Sequence, residues 1–228
     1  MSDHFITDQA QRRAEWHRYY SGKRITHQWL QVHLLADLAV ETVLELGPYL
    51  GVVSAMLDNA GYRVTSLDRL PRQHDNDRIT HIECSLEEAV ASDLAGFDCI
   101  LCCETLEHLP WDDVGRYLDI FREAGPRHVI LSVPFEGFQF DLSVYLNWHT
   151  WRRALALKKF RGWRTFSPPS NPFGHKWEAG YRGHGLKALE SKLIAAGFRI
   201  RRREFTSPTR SVFYVLDAPS PLEERNDQ

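Results

Sequence analysis

Between Glu41 and Asp68 the chain runs through an apolar stretch, a glycine-punctuated break, a helical pattern, a second apolar stretch and an acid. Few folds accept that order. Thr42-Val43-Leu44-Glu45-Leu46 is strand-like and stops at Gly47-Pro48-Tyr49-Leu50-Gly51. Helical spacing follows through Gly61, and Tyr62 to Leu67 returns as an apolar run ending on Asp68. Glycines at such a break let the backbone turn tightly and approach a ligand, while a carboxylate about 20 residues on is placed to hold ribose hydroxyls. Glu45 narrows the choice of ligand, because its carboxylate would repel a dinucleotide pyrophosphate but not a group carrying an amine and a sulfonium.

The rest of the chain extends this unit. Helical spacing over 9–20 and 27–40 predicts two N-terminal helices, the second with Trp29, Val32, Leu35 and Leu38 on one stripe. Arg78 to Glu83 reads as a third strand, Ser85 to Glu88 as the start of a short helix, and Phe97 to Cys102 as a buried fourth strand. Val114, Tyr117, Leu118 and Phe121 recur at helical spacing, and His128 to Val133 is a fifth strand stopped by Pro134. Residues 135–184 show scattered aromatics, a proline-rich turn and no clean strand. Leu186, Leu189, Leu193 and Ile194 predict a helix capped by Gly197, and Phe198–Glu204 with Val212–Leu216 a closing hairpin. Strands alternating with helices imply a mostly parallel sheet covered on both faces. At 228 residues one domain is expected, divided into N-terminal helices (1–40), a ligand-binding core (41–134), a lid insertion (135–184) and a closing helix and strands (185–217).

With these residues in place the chain resembles the class I S-adenosylmethionine-dependent methyltransferases. The resemblance covers roughly 41–133 motif by motif, and 197–217 looks like that family's terminal strand pair. It implies a Rossmann-like, doubly wound, seven-stranded sheet with a C-terminal antiparallel hairpin, and S-adenosylmethionine as cofactor. Glu45, Gly47, Pro48, Tyr49 and Gly51 match the first motif, whose backbone lies against the methionine part; the family usually has a small residue where Tyr49 stands. Asp68, with Arg69 beside it, matches the ribose-binding acid, and Cys84-Ser85-Leu86 falls where adenine contacts lie. Cys103-Glu104-Thr105-Leu106-Glu107-His108-Leu109 matches the Glu-x-x-Glu-His-Leu signature lining the transfer pocket. Transfer to an unidentified acceptor, small-molecule or lipid-like, is the function this implies.

Other readings compete at particular residues. Cys99, Cys102 and Cys103 are too close along one strand to converge on an ion, so Cys99 and Cys102 read as small core residues. Glu104, Glu107 and His108, with His175 of Gly174-His175-Lys176-Trp177-Glu178, resemble the two-glutamate, two-histidine metal site of small-RNA 2′-O-methyltransferases. The same signature occurs in metal-free relatives, and no metal is expected here; a metal-dependent RNA enzyme is the alternative. A non-catalytic relative is a further alternative, opposed by the intact glycines and Asp68. An acceptor hydroxyl or amine needs a base, for which His108, His149 and His175 are candidates.

From Leu142 to Trp177 there are seven cations, eight aromatics and no acid, a composition suited to an anionic acceptor, nucleic acid included, or to an amphipathic packing helix. Arg199, Arg201, Arg202 and Arg203 are expected to edge the last strands. A net charge of −2, a start without signal-peptide character, no long apolar stretch and crowded cysteines predict a cytoplasmic location.

Overall fold

A computed structural model describes residues 8–73, 75–146, 151–159, 164–168, 171–207 and 210–219, with side chains omitted over most of 138–159. A seven-stranded sheet is built from β1 (Thr42–Leu46), β2 (Arg63–Asp68), β3 (Thr80–Glu83), β4 (Cys99–Cys103), β5 (His128–Pro134), β8 (Arg199–Phe205) and β9 (Ser211–Asp217). Their order is β3-β2-β1-β4-β5-β9-β8, parallel through β5 and antiparallel beyond it. The closing strands are the hairpin that the sequence predicts. The order reverses between β1 and β4, which opens a crevice at their carboxyl ends where ligands of such sheets bind.

Strand alternation divides the core in two. Leu44, Leu46, Ile100, Cys102, Val129 and Leu131 face α4 (Val114–Glu123) and α5 (Leu186–Ala195), while Val43, Cys99, Leu101 and Ile130 face α2 (Gly22–His33) and α3 (Val52–Asn59). Cys99 and Cys102 thus lie on opposite faces, both buried, as small core residues. On α4 the four predicted apolar positions are all buried. Of the α5 set, Leu189 and Leu193 are buried but Ile194 is exposed.

Three local expectations need correction. α1 (Gln9–Tyr19) falls as expected, but α2 spans 22–33, not 27–40. Ser21 accepts the Arg24 amide and starts the helix early, and bonds such as Leu38 N–H to Leu35 O wind the tail into turns. Its buried residues are Leu30 and Gln31, joined by Leu34 and Leu35, while Trp29 is exposed. Ser85 to Glu88 makes a single turn closed by the Ala89 amide on Ser85 O.

The third correction concerns 135–184. β6 (Phe138–Leu146) and β7 (Trp151–Lys159) pair as a two-stranded antiparallel ribbon, Phe138 opposite Lys159 and Leu146 opposite Trp151. The signal is in the sequence: Phe138, Phe140, Leu142, Val144 and Leu146 alternate strictly. His149, Trp148, Phe160, Arg161 and Trp163 lie outside the described residues.

Within the insertion expected as a lid over 135–184, residues 171–184 dock against the sheet core. Trp177 and Ala179 are wholly buried in the α4/α5-side core, and Trp177 Nε1–H donates to Leu109 O at 3.1 Å. Ala179 N–H donates to Pro134 O (2.9 Å) and Glu136 N–H to Ala179 O (2.8 Å), so the segment runs beside the end of β5. β8 is the sheet edge; its exposed arginines pair with acids, Arg199 and Arg201 with Asp217, Arg202 with Glu204 and Arg203 with Glu190.

Candidate active site

The glycine loop is bent by backbone conformation. Gly47, Tyr49 and Gly51 all have positive φ (71°, 51° and 76°), and Gly47 N–H donates to Leu67 O at 2.9 Å. A Cβ on Gly47 would come within 2.9 Å of Thr105 Oγ1, so the glycine is required by shape as well as by angle. Thr105 Oγ1 in turn reaches Leu46 O at 3.2 Å, which ties the loop after β1 to the loop after β4. Tyr49 keeps its left-handed backbone because its ring is held elsewhere. It packs on Tyr19 of α1 with centroids 4.5 Å apart, and its hydroxyl donates to Glu15.

Glu45 lies beneath the loop, buried against α3, and accepts the Ser54 hydroxyl. Burial raises its pKa to about 7, with Ser54 opposing the shift and the Asp68 charge adding to it. Asp68 ends β2 and accepts the Leu70 amide at 3.0 Å; burial raises its pKa. Cys84 N–H donates to Asp68 O at 2.9 Å, which sets Cys84, Ser85 and buried Leu86 beside the acid. Arg69 follows Asp68 and is exposed.

Across the crevice stands the loop Cys103–Leu109. Glu104 is held at φ 53°, with its amide on Ser132 O (2.9 Å) and its carboxylate accepting the Ser132 hydroxyl (2.8 Å). Its side chain stays 32 % exposed. Burial raises its pKa, but the neighbouring His27, Ser132 and Ser211 side chains outweigh that, and it lies below the ordinary carboxylate range. Glu107 is the opposite case. It is wholly buried, neither carboxyl oxygen has a hydrogen-bond partner among the described residues, and burial with repulsion from Glu104 pushes its pKa well up.

His175 arrives from 171–178, a segment docked by the Lys176 amide on Glu107 O at 2.7 Å. Its ring meets that of His108 edge-on at 5.0 Å, and its Nδ1 lies 2.8 Å from Glu178 Oε1, a carboxylate that also accepts from Asn171. Burial and the neighbouring His175 lower the pKa of His108 to about 4. Glu107, His108 and His175 offer ligand atoms all within 4.8 Å of one another. Of the three predicted bases, the structure thus brings His108 and His175 together.

Two residues escaped the motifs. Tyr19, at the end of α1, is charge-coupled to Glu104 and Glu107, and His27 of α2 places Nε2 at 3.4 Å from Glu104 Oε1. Both come from a helix pair that no motif covers; the remaining signal is a polar His27 and Gln31 at i, i+4 on a buried helix face.

With this geometry in view, the comparisons are decisive. The sequence matches the family model described as "Methyltransferase domain" over residues 9–175. The chain belongs to that family. No curated protein sequence matches it. Among solved structures, the Burkholderia thailandensis 1,6-didemethyltoxoflavin-N1-methyltransferase aligns at 16 % identity over 96 % of this chain and 93 % of its own, with a TM-score of 0.56. Magnesium protoporphyrin IX methyltransferase from Synechocystis PCC 6803 aligns at 16 % identity over 95 % and 94 %, with a TM-score of 0.57. The glycopeptide N-methyltransferase MtfA aligns at 17 % identity over 88 % and 91 %, also at 0.57. These likenesses carry the fold.

The chain thus carries a methyltransferase domain, and its sequence resemblance to the class I enzymes implies S-adenosylmethionine as cofactor. Its residues fit that cofactor: a cradle at Gly47 that admits no side chain, an α3 N-terminus without a side-chain cap, and Asp68 at the end of β2. No helix among the described residues is long and apolar enough to cross a membrane.

Proposed function

We propose that this methyltransferase acts on a small-molecule or lipid-like acceptor held between the Glu104–His108 loop and His175. The juxtaposition of that loop with the glycine loop, bonded through Thr105, is the observation that carries the reading. The solved neighbours, named for a toxoflavin precursor, a glycopeptide and a porphyrin, support the acceptor class. When bound, the cofactor supplies an electrophilic methyl group on a sulfonium. Gly47 and Gly51 let the backbone approach it, with Glu45, Pro48 and Tyr49 shaping the loop, and Asp68 holds its ribose hydroxyls. Arg69, Cys84, Ser85, Leu86 and Cys103 complete the rim.

The chain's own task is then to align the acceptor, exclude water and accept a proton. A carboxylate can only accept, so His175 Nδ1 donates to Glu178 and leaves Nε2 with a free lone pair. His108, neutral above a pKa of about 4, faces it. This pair is the proposed base. Four free cysteines, two of them buried, support the cytoplasmic location. S-adenosylhomocysteine should bind by calorimetry, and His108→Ala should lower turnover more than affinity. Wild-type protein that fails to bind S-adenosylhomocysteine refutes the reading.

One observation favours a second reading. Glu107, unpartnered among the described residues, places a carboxylate oxygen within 4.8 Å of a ring nitrogen of each of two imidazoles, a donor set suited to a divalent cation. Such an ion would neutralise the buried carboxylate. Metal content after purification, Mn²⁺ titration of Glu107→Gln against wild type, and activity after chelation decide between the two. Activity that survives exhaustive chelation leaves the metal-free reading standing. An RNA acceptor rests on the sequence resemblance alone.

A further inference from the structure

Glu104 and Glu107 stand three residues apart, yet only Glu104 has been given partners and an opening to the pocket. One partner comes from outside the family's motifs. α2 starts at the Ser21 cap, and its inward face carries His27 and Gln31 one turn apart, Gln31 only 6 % exposed. The His27 ring lies 5.0 Å from that of Phe213, and the sheet register puts Phe213 directly opposite Ser132. The ring is therefore held over the ends of β5 and β9, beside the carboxylate that Ser132 already binds. Its Nε2 approaches Glu104 Oε1 at 3.4 Å without meeting hydrogen-bond geometry, and it is buried with no other partner among the described residues.

Both neighbours specify the same tautomer. The Gln31 side-chain amide turns its Nε2 toward His27 Nδ1 at 3.4 Å, and in that orientation its N–H donates, which makes Nδ1 the acceptor. The Glu104 carboxylate can only accept, which places the proton on Nε2. An imidazole N–H from α2 thus converges with the Ser132 and Ser211 hydroxyls on one carboxylate, whose side chain stays 32 % exposed. The strained backbone at Glu104 gives the arrangement a purpose, because a non-glycine residue at φ 53° persists only where its surroundings hold it.

We infer that His27 is a positioning residue of the transfer site: its Nε2–H, with Ser132 Oγ–H, aims the Glu104 carboxylate at a hydrogen-bond-donating group of the bound acceptor. α2 is thereby a wall of the pocket and more than a cover on the sheet. This inference rests on the methyltransferase reading above.

The test uses the full chain with His27→Phe, which keeps a ring against Phe213 but has no donor, and His27→Gln, which restores one. S-adenosylhomocysteine calorimetry reports the cofactor site. Transfer from methyl-tritiated S-adenosylmethionine into the small-molecule fraction of a host-cell extract reports the acceptor site. For His27→Phe, cofactor affinity should stay within about threefold and transfer at saturating cofactor should fall about tenfold or more, the worth of one hydrogen bond to a charged group; His27→Gln should recover most of it. Nitrogen-15 NMR of the wild type should show the Nε2–H tautomer at His27. Normal transfer by His27→Phe, equal loss in both variants, or an Nδ1–H tautomer would each overturn the inference while leaving the cofactor reading intact. Loss of cofactor binding in the wild type would overturn both.

Discussion

The two walls of the crevice are made differently. On the proposed cofactor side the parts are backbone: three left-handed residues at 47, 49 and 51, a helix start and one acid, Asp68. On the proposed acceptor side they are side chains: Glu104, Glu107, His108 and His175, drawn from two segments that are far apart in sequence. A wall of backbone tolerates little change in shape and much in chemistry. A wall of buried titratable groups behaves the other way round, and its properties follow from how each group is partnered.

The largest expected effect strikes the docking of the acceptor side. A Cβ on Gly180 would lie 1.8 Å from Glu136 O at φ 95°, so Gly180→Ala must push 171–180 away from β5. A loss on the order of 3–5 kcal/mol is expected from clash and backbone strain. Thermal unfolding measures it, and calorimetry on the folded fraction should find S-adenosylhomocysteine binding little changed. If cofactor affinity collapses in parallel, the two walls are not separable.

Asp68→Ala is the converse. Losing hydrogen bonds to a charged acceptor should weaken S-adenosylhomocysteine by about 2–4 kcal/mol while leaving the fold intact. Unchanged affinity would remove the cofactor role from this acid.

The pH dependence of stability should carry opposite signatures from the two walls. Glu45, raised from 4.5 to about 7, favours the fold while protonated; its contribution is complete below 4.5 and lost as pH rises through about 7. His108, lowered from 6.5 to about 4, favours the fold while neutral; its contribution is complete above 6.5 and lost as pH falls through about 4. Each is worth on the order of 2–3 kcal/mol. Urea midpoints across pH should flatten on the alkaline side in Glu45→Gln and on the acid side in His108→Asn. Parallel profiles in wild type and variants would show that neither group is held as the geometry implies.

The smallest effect concerns the β6–β7 ribbon. If Arg152, Arg153, Lys158 and Lys159 meet an anionic acceptor, added salt should weaken acceptor turnover by about threefold and leave cofactor binding nearly alone. Reversal of all four to Glu should mimic it. Normal methylation by that variant would mark the cations as a solvated face.

Legibility followed the same division. The glycine loop and Asp68 could be read because their order and spacing are local properties of one strand–helix–strand unit. The ribbon is legible too, since apolar residues alternate strictly over 138–146. His27 could not be found by motif, because nothing local marks a helical histidine as facing a loop that begins 77 residues later. Nor could the core anchor at Trp177 be told apart from the rest of the insertion expected over 135–184. The burial of Trp177 depends on the gap that α4, α5 and the 104–109 loop leave between them.

By itself the sequence determined the sheet, its parallel run and antiparallel close, the glycine loop and the acid that follows, because periodicity and turn chemistry act over a few residues. Only the tertiary structure decided which of two glutamates, three apart, would be partnered and which left bare. That choice depends on what packs against each one. Ser132 from β5 and His27 from α2 gather around Glu104, while Glu107 turns inward to face two imidazoles, and desolvation does the rest.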